Sequence, residues 1–493
     1  MADTPRNPLI DHDVWTGRLF GGTDGCWYTA GETRDVIEPA TGNRLTHIGL
    51  ARAADVARAA KAAAAAQPAW AALPPRDRAA IMRRAAAALE RNLEDAARYI
   101  ARETGGIPAK AQLEVAEAAT QLHIAAGLPL QPQGLVLPST AGRASYARRV
   151  PHGVVGVISP FNFPLILSMR SVAPALALGN AVVLKPDPQT PVSGGFLIAR
   201  AFEEAGLPPG VLQVVPGDAD AGAAVVEAPE VRMIAFTGST AAGRKVGELA
   251  GRLLKKVSLE LGGKNTLIVL DDADLDLAAS NAAFGAFFHQ GQICMATGRI
   301  VAHRSIAAEL TRRLVEKANT LPIGDPASGT VAIGPLINAR QLQNVDAIVR
   351  ASVEAGAMLE AGGTYERLFY RPTVLSNVRP GMRAFDEEIF GPVAVVTAFD
   401  SDDEAVDLAN RTEYGLSCAV IGTSLSRATA IGDRLKCGLL HINGQTVADE
   451  CVNPFGGRGD SGNGGSMGGP SDPDEYTQWQ WVTVKGTVER TPF

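Results

Sequence analysis

Five stretches of this 493-residue chain carry residue types and settings suited to chemistry. Cys294 stands in FFHQGQICMATGR, preceded by Gly291 and Gln292, among polar residues and with a helix expected to follow. A thiolate forms near neutral pH in electropositive or helix-N-terminal settings, so Cys294 is either a nucleophile or an inert buried thiol. Glu260 closes KVSLE beside two glycines. A carboxylate there can face a cleft and act as a base if its pKa is raised, or simply pair with a cation at a strand end. Asn162 in SPFNFP is bracketed by aromatics and prolines that fix its backbone. Its amide can donate to a developing oxyanion or serve an ordinary turn. Lys185 in VVLKPD ends another apolar run, where a cation can reach a ribose or phosphate or lie at the surface. FTGSTAAGR (236–244) leaves a strand and opens a helix. Gly238, Ser239 and Gly243 would let unpaired helix N–H groups approach a phosphate. The spacing is not GxGxxG, and a plain strand-to-helix turn would read the same way.

The elements that must hold these residues follow from the hydrophobic pattern. Between Val150 and Leu270, the runs 154–159, 181–186, 211–217 and 231–238 are short, apolar and closed by turn residues, with helical patterns such as 196–206 between them. That rhythm predicts a parallel, doubly wound sheet, with ligands bound where strands end and helices begin. A second alternating region, about 264–444, carries strand-like runs at 266–270, 393–399 and 416–422. From Ala51 to about Ala126 the chain is Ala-rich with charges at helical spacing, which predicts packed helices and not low complexity. Asp55 is placed to cap the first of them, and Pro74–Pro75 to open the next. Residues 127–150 read as turns and a hairpin, and a Gly-rich tract (456–469) leads to the strand-like tail YTQWQWVTVKGTV.

Composition excludes several classes. A net charge of -6 argues against a nucleic-acid binder, whose footprint is basic. No run of about 20 apolar residues is available to span a bilayer, and MADTPRNPLIDHDVW lacks the apolar core of a secretory signal. The five cysteines (Cys26, Cys294, Cys418, Cys437, Cys451) contain no CxxC, so neither a disulfide framework nor a zinc knuckle is expected. A cytoplasmic protein without metal fits these features. Four of the five cysteines are expected to be packing residues.

The strings ISPFNFP (158–164), LKP (184–186), FTGST (236–240), LELGGKN (259–265), QGQICMATGR (290–299), EEIFGPV (387–393) and PFGGRGDSG (454–462) together resemble the aldehyde dehydrogenase superfamily, in its order and spacing and over nearly the whole chain. The resemblance implies an α/β fold of two parallel-sheet lobes, for cofactor and catalysis, plus a small β oligomerisation element. It places the dinucleotide-binding part at 1–127 and 151–261, and the catalytic part at 262–455 with a returning segment at 456–476. The oligomerisation element falls at 128–150 and 477–493, which implies a homodimer or homotetramer. It assigns Cys294 as nucleophile, Asn162 with the Cys294 backbone N–H as oxyanion donors, and Glu260 as the base that activates water. Ser159, Pro160, Phe161, Lys185, Gly238, Ser239, Glu388 and Phe390 match positions that hold the dinucleotide.

Three departures stand out. Phe161 replaces the family's usual Trp, and Pro188 stands where many NAD-preferring members carry Glu, which leaves NADP open beside NAD. GNGGSMGG (462–469) lacks the second carboxylate some relatives keep. WTGRLF (15–20), KPDPQTPVSGG (185–195), LLHINGQTVADE (439–450) and GGPSDPDEYTQWQWVTV (468–484) resemble the benzaldehyde dehydrogenase branch, close in style to vanillin and salicylaldehyde dehydrogenases. Phe161, Phe163, Phe287, Phe288 and Phe455 flank the catalytic strings and offer either a flat slot for an aryl ring or core packing. Leu167 and Arg170 follow on the helix after Asn162. Arg170 would meet a polar ring substituent, face water or face a partner subunit. Terpenoid aldehydes and semialdehydes are alternative substrates, and a thiol esterase or a catalytically silent protein are alternatives of another class.

Overall fold

The computed structural model describes residues 9–488 together with 490 and 491. The start of the segment read for a secretory signal (1–8) and the last positions of the tail (489, 492 and 493) lie outside the described residues.

Short β-branched runs build the first sheet. Val154–Ile158 and Ala181–Lys185 are buried at every position, the mark of parallel strands covered on both faces. The seven-stranded sheet runs Lys256–Glu260, Val231–Thr237, Val154–Ile158, Ala181–Lys185, Leu212–Val214, Arg18–Gly21, Cys26–Thr29. Its first five strands are mutually parallel. In chain order the strands from Val154 step to one side as far as Leu212–Val214. The chain then returns to lay Val231–Thr237 on the other flank of Val154–Ile158. The strand order therefore reverses between Val154–Ile158 and Val231–Thr237, which is where open α/β sheets form their ligand crevice.

The second sheet is also seven-stranded, in the order Met358–Ala361, Thr373–Ser376, Val393–Phe399, Thr297–His303, Asn265–Val269, Ser417–Ile421, Leu439–Ile442. It is parallel apart from its Met358–Ala361 edge. Glu260 ends the first sheet and Asn265 begins the second, so the C-terminal edge of one adjoins the N-terminal edge of the other across four residues. A separate three-stranded sheet pairs Thr477–Lys485, Arg143–Pro151 and Gly134–Val136.

The Ala-rich region is helical, as its charge spacing predicts, with helices Ala53–Ala72, Pro75–Arg91, Leu93–Thr104 and Pro108–Gly127. Asp55 corrects one expectation. It occupies the third helical position, not the cap, and its carboxylate accepts the Arg52 backbone N–H at 2.9 Å, because the helix starts two residues before it. Helix Pro164–Ala177 follows Asn162 directly and is almost wholly buried. Among the described residues no helix is long and apolar enough to cross a membrane, and no His/Cys/Asp/Glu group could hold a metal ion.

Candidate active site

Four of the sequence-marked groups lie at one edge of the first sheet, in register. Glu260 pairs with Thr237, Phe236 with Ile158, and Ile158 with Lys185. Ser159 and Gly238–Ser239 consequently flank the point where strand order reverses. Ser239 caps helix Thr240–Arg252, accepting the Ala242 N–H at 3.4 Å, and the Gly238 N–H donates to the Glu260 carbonyl at 3.0 Å. Lys185 is buried, not on the surface, and its pKa is lowered by that burial, against the pull of Asp187 and Asp218. Ser159 Oγ accepts from Ser168 Oγ at 2.6 Å, which ties the loop after Ile158 to the helix beyond it.

The Cys294 loop closes on this edge from the second sheet. Helix Leu275–Phe287 ends, and His289, Gln290 and Gly291 turn through left-handed backbone at φ +48°, +54° and +65°. A Cβ at Gly291 would stand 2.1 Å from the Gly391 carbonyl oxygen, so the turn needs glycine there for space as well as conformation. Three side chains then pin the loop. Asn162 Nδ2 donates to the Gln292 carbonyl at 2.9 Å. Asn265 Nδ2 donates to the carbonyls of Cys294 and Ala296, both at 2.8 Å, while its Oδ1 accepts the Ser417 N–H at 3.0 Å. Thr446 Oγ1 donates to the Met295 carbonyl at 2.7 Å. The expected helix after Cys294 is absent. Thr297–His303 is a strand, because TGRIVAH pairs with Asn265–Val269 on one side and Val393–Phe399 on the other.

With no helix N-terminus following it, Cys294 gains little help toward a thiolate. Burial pushes its thiol up to about 12, the charges of Glu388, Glu260 and Asp449 add to this, and Arg170 opposes it. Glu260 is buried. Burial raises its pKa well above the carboxylate range, with Arg170 and the Gly457 backbone N–H acting against it and Glu475 and Asp449 reinforcing it. Glu388 is pushed up to about 7 by burial, and its Oε1 accepts the Gly263 N–H at 3.0 Å. A Cβ on Gly262 would fall 2.2 Å from Glu388 Oε2, so Gly262 is what lets this carboxylate approach the catalytic strings. Phe390, at φ +54°, meets Phe161 edge-on with ring centroids 5.9 Å apart.

A sequence model of the aldehyde dehydrogenase family matches residues 27–482. A vanillin dehydrogenase of Amycolatopsis sp. is 54% identical over 487 residues, covering 98% of this chain and 100% of the relative. The chain belongs to the aldehyde dehydrogenase family. A benzaldehyde dehydrogenase [NAD(+)] of Pseudomonas putida is 48% identical over 495 residues and is covered in full, as is this chain. The crystal structure of betaine aldehyde dehydrogenase from Staphylococcus aureus in complex with NAD+ superposes with a TM-score of 0.94 at 28% identity, covering 98% of this chain and 97% of that one.

Within this aldehyde dehydrogenase the aromatic residues divide. Phe163, Phe288 and Phe455 gather with Cys294 in one apolar cluster, whereas Phe287 is core packing beneath the second sheet. Leu167 is half-buried on the helix after Asn162. Arg170 does not face water. It is buried, donates to Asp449 and lies over Phe455. Cys418, Cys437 and Cys451 are packing residues as expected, but Cys26 is exposed because its hairpin strand has little cover.

Other supporting residues carry no local signal in the sequence. Lys110 and Glu114 form a fully buried ion pair at 2.6 Å, and Glu114 Oε1 accepts the Leu165 N–H at 2.7 Å, anchoring the helix that follows Asn162. Glu475 stands within electrostatic reach of Glu260 while pairing with Lys256 at 3.5 Å. Helical i, i+4 spacing marks Lys110 and Glu114 as neighbours, but nothing local marks them as buried.

Proposed function

We propose that this enzyme oxidises an aromatic, benzaldehyde-like aldehyde to its carboxylic acid with NAD. The observation that carries the reading is that the Asn162-pinned Cys294 loop meets Glu260 at the strand-end edge beside the strand-order reversal, with Phe163, Phe288 and Phe455 clustered about the thiol. The names borne by the relatives, vanillin dehydrogenase and benzaldehyde dehydrogenase [NAD(+)], support the same substrate class and cofactor.

The residues present suit a dinucleotide. Ser159, Pro160, Phe161, Gly238 and Ser239 flank the reversal point, Lys185 is in register beside them, and Gly262 leaves room for Glu388. Glu388 would take ribose hydroxyls and Phe390 would pack near the nicotinamide end. Bound NAD supplies the hydride acceptor. Cys294, its thiol proton released to solvent, attacks the aldehyde carbonyl as the thiolate, and the Asn162 amide with the Cys294 N–H steadies the oxyanion. Once the adduct is oxidised to a thioester, Glu260 takes a proton from water, the hydroxide adds to the acyl carbon, and the acid leaves with the thiolate restored.

Supported by the exposed tryptophans on the three-stranded sheet, the same reading treats 128–150 and 477–493 as an oligomerisation element. It assigns 1–127 with 151–261 to the cofactor, and 262–455 with the return at 456–476 to catalysis. A cytoplasmic setting is supported by five cysteines that are all free thiols.

A screen of benzaldehyde, vanillin, salicylaldehyde, geranial and short aliphatic aldehydes, each with NAD and NADP, tests the reading. The aryl aldehydes with NAD are expected to give the highest kcat/KM, and Cys294→Ala to lose at least about 10^3-fold in turnover. Preference for geranial or aliphatic substrates would reject the aromatic assignment, and ester hydrolysis without NAD as the main activity would make the protein a thiol esterase.

A further inference from the structure

Arg170 is a charged side chain of the site that no step of the proposed reaction uses. It lies on helix Pro164–Ala177 and is 4% exposed. One arm is engaged, since Nη2 donates to Asp449 Oδ2 at 2.5 Å. The guanidinium plane is held over the Phe455 ring, with Cζ 4.7 Å from the centroid. The other donors, Nε and Nη1, are buried and meet no acceptor among the described residues. Leaving a buried charged donor unpaired costs more than one hydrogen bond returns, so these two N–H groups suit an acceptor that enters with a ligand.

The position says which ligand atom that is. Phe455 belongs to the apolar cluster that holds Cys294, Phe163 and Phe288, and the charge of Arg170 acts on both Cys294 and Glu260. An aryl aldehyde bound through its carbonyl carbon at Cys294 would pack its ring among these side chains and turn ring substituents toward the guanidinium. A hydrocarbon substituent would leave the Nε and Nη1 donors without an acceptor, whereas a hydroxyl would accept from them. A phenolate, acidified by the formyl group on the same ring, would accept a charge-assisted pair of bonds. Asp449 and Phe455 restrict the guanidinium to one orientation, so its free edge recognises one region of the ring.

We propose that Arg170, oriented by Asp449 and Phe455, is a specificity-determining residue that donates to an oxygen substituent on the substrate ring, so that hydroxylated aryl aldehydes are preferred to unsubstituted ones. This rests on the aromatic-aldehyde reading above. The test compares kcat/KM for 3- and 4-hydroxybenzaldehyde with benzaldehyde and 4-methylbenzaldehyde, using the wild-type enzyme with NAD, Arg170→Met, Arg170→Lys and Asp449→Asn. The wild type is expected to favour the hydroxylated aldehydes. Arg170→Met should shrink the ratio of hydroxylated to unhydroxylated kcat/KM by about 10- to 100-fold, mainly through KM, with Arg170→Lys and Asp449→Asn intermediate. A purely structural role would lower all four substrates together and leave the ratio unmoved, which overturns the assignment. So does a wild-type enzyme without hydroxyl preference, an outcome that stands even if Arg170→Met fails to fold. Turnover of benzaldehyde with an unmoved ratio rejects only the role of Arg170, while no turnover of any aryl aldehyde rejects the reading beneath it.

Discussion

The Cys294 thiol is pushed up to about 12 because burial and three nearby carboxylates all disfavour a thiolate, with Arg170 opposing them. The Glu260 pKa is itself raised, chiefly by burial, with Glu475 and Asp449 adding to the rise and Arg170 opposing it. The same shift sets the pH behaviour of the base. Glu260 is active when deprotonated, so thioester hydrolysis should rise as pH climbs through its raised pKa and fall away below it. Replacing it by Gln keeps the shape and removes the base. Glu260→Gln should slow steady-state turnover by about 10^2- to 10^4-fold while leaving hydride transfer less affected. Stopped-flow absorbance would then show a burst of reduced cofactor near one equivalent per site, followed by a slow phase without the rising pH limb. A progress curve without a burst would remove Glu260 from deacylation.

One loop converts two sheets into a site. The left-handed run at His289–Gln290–Gly291 lifts Cys294 off the end of helix Leu275–Phe287, and Asn265 then holds the carbonyls on both sides of Met295. Asn265→Ala would free those carbonyls and the Ser417 N–H. We expect kcat to drop about 10- to 100-fold as the nucleophile loses its position, with about 1–3 kcal/mol of stability lost. Unchanged kcat beside a lowered thermal midpoint would make Asn265 a purely structural residue. Much of this was legible beforehand. Apolar runs with turn residues at their ends marked the strands, and the edge carrying Glu260, Lys185 and Gly238 followed from them. Partners distant in sequence were not legible. Arg170 and Asp449 lie 279 residues apart, and neither local string says that they meet. The strand after Cys294 was missed for a related reason. TGRIVAH is a short run whose state is decided by the two strands that flank it.

At the scale of the whole molecule, the three-stranded sheet presents apolar side chains to solvent. Trp481 is 65% exposed and Val136 93% exposed, with Leu135, Trp479 and Val484 exposed on the same sheet. Gly134–Val136 is also an edge strand, pairing with Arg143–Pro151 on one side, so its other side offers unpaired backbone groups. Exposed apolar surface and a free edge together invite a second chain, and an unprotected edge of this kind would otherwise be an aggregation hazard. A charge placed there should interrupt association without touching the crevice, since substitutions at exposed positions usually change stability little. Val136→Asp combined with Trp481→Asp is therefore expected to shift the mass measured by size-exclusion chromatography with light scattering toward the monomer, most clearly at low protein concentration. Wild-type protein should remain a dimer or tetramer over the same range. A wild-type monomer, or an assembly that keeps its mass in the double variant, would place association elsewhere on the surface.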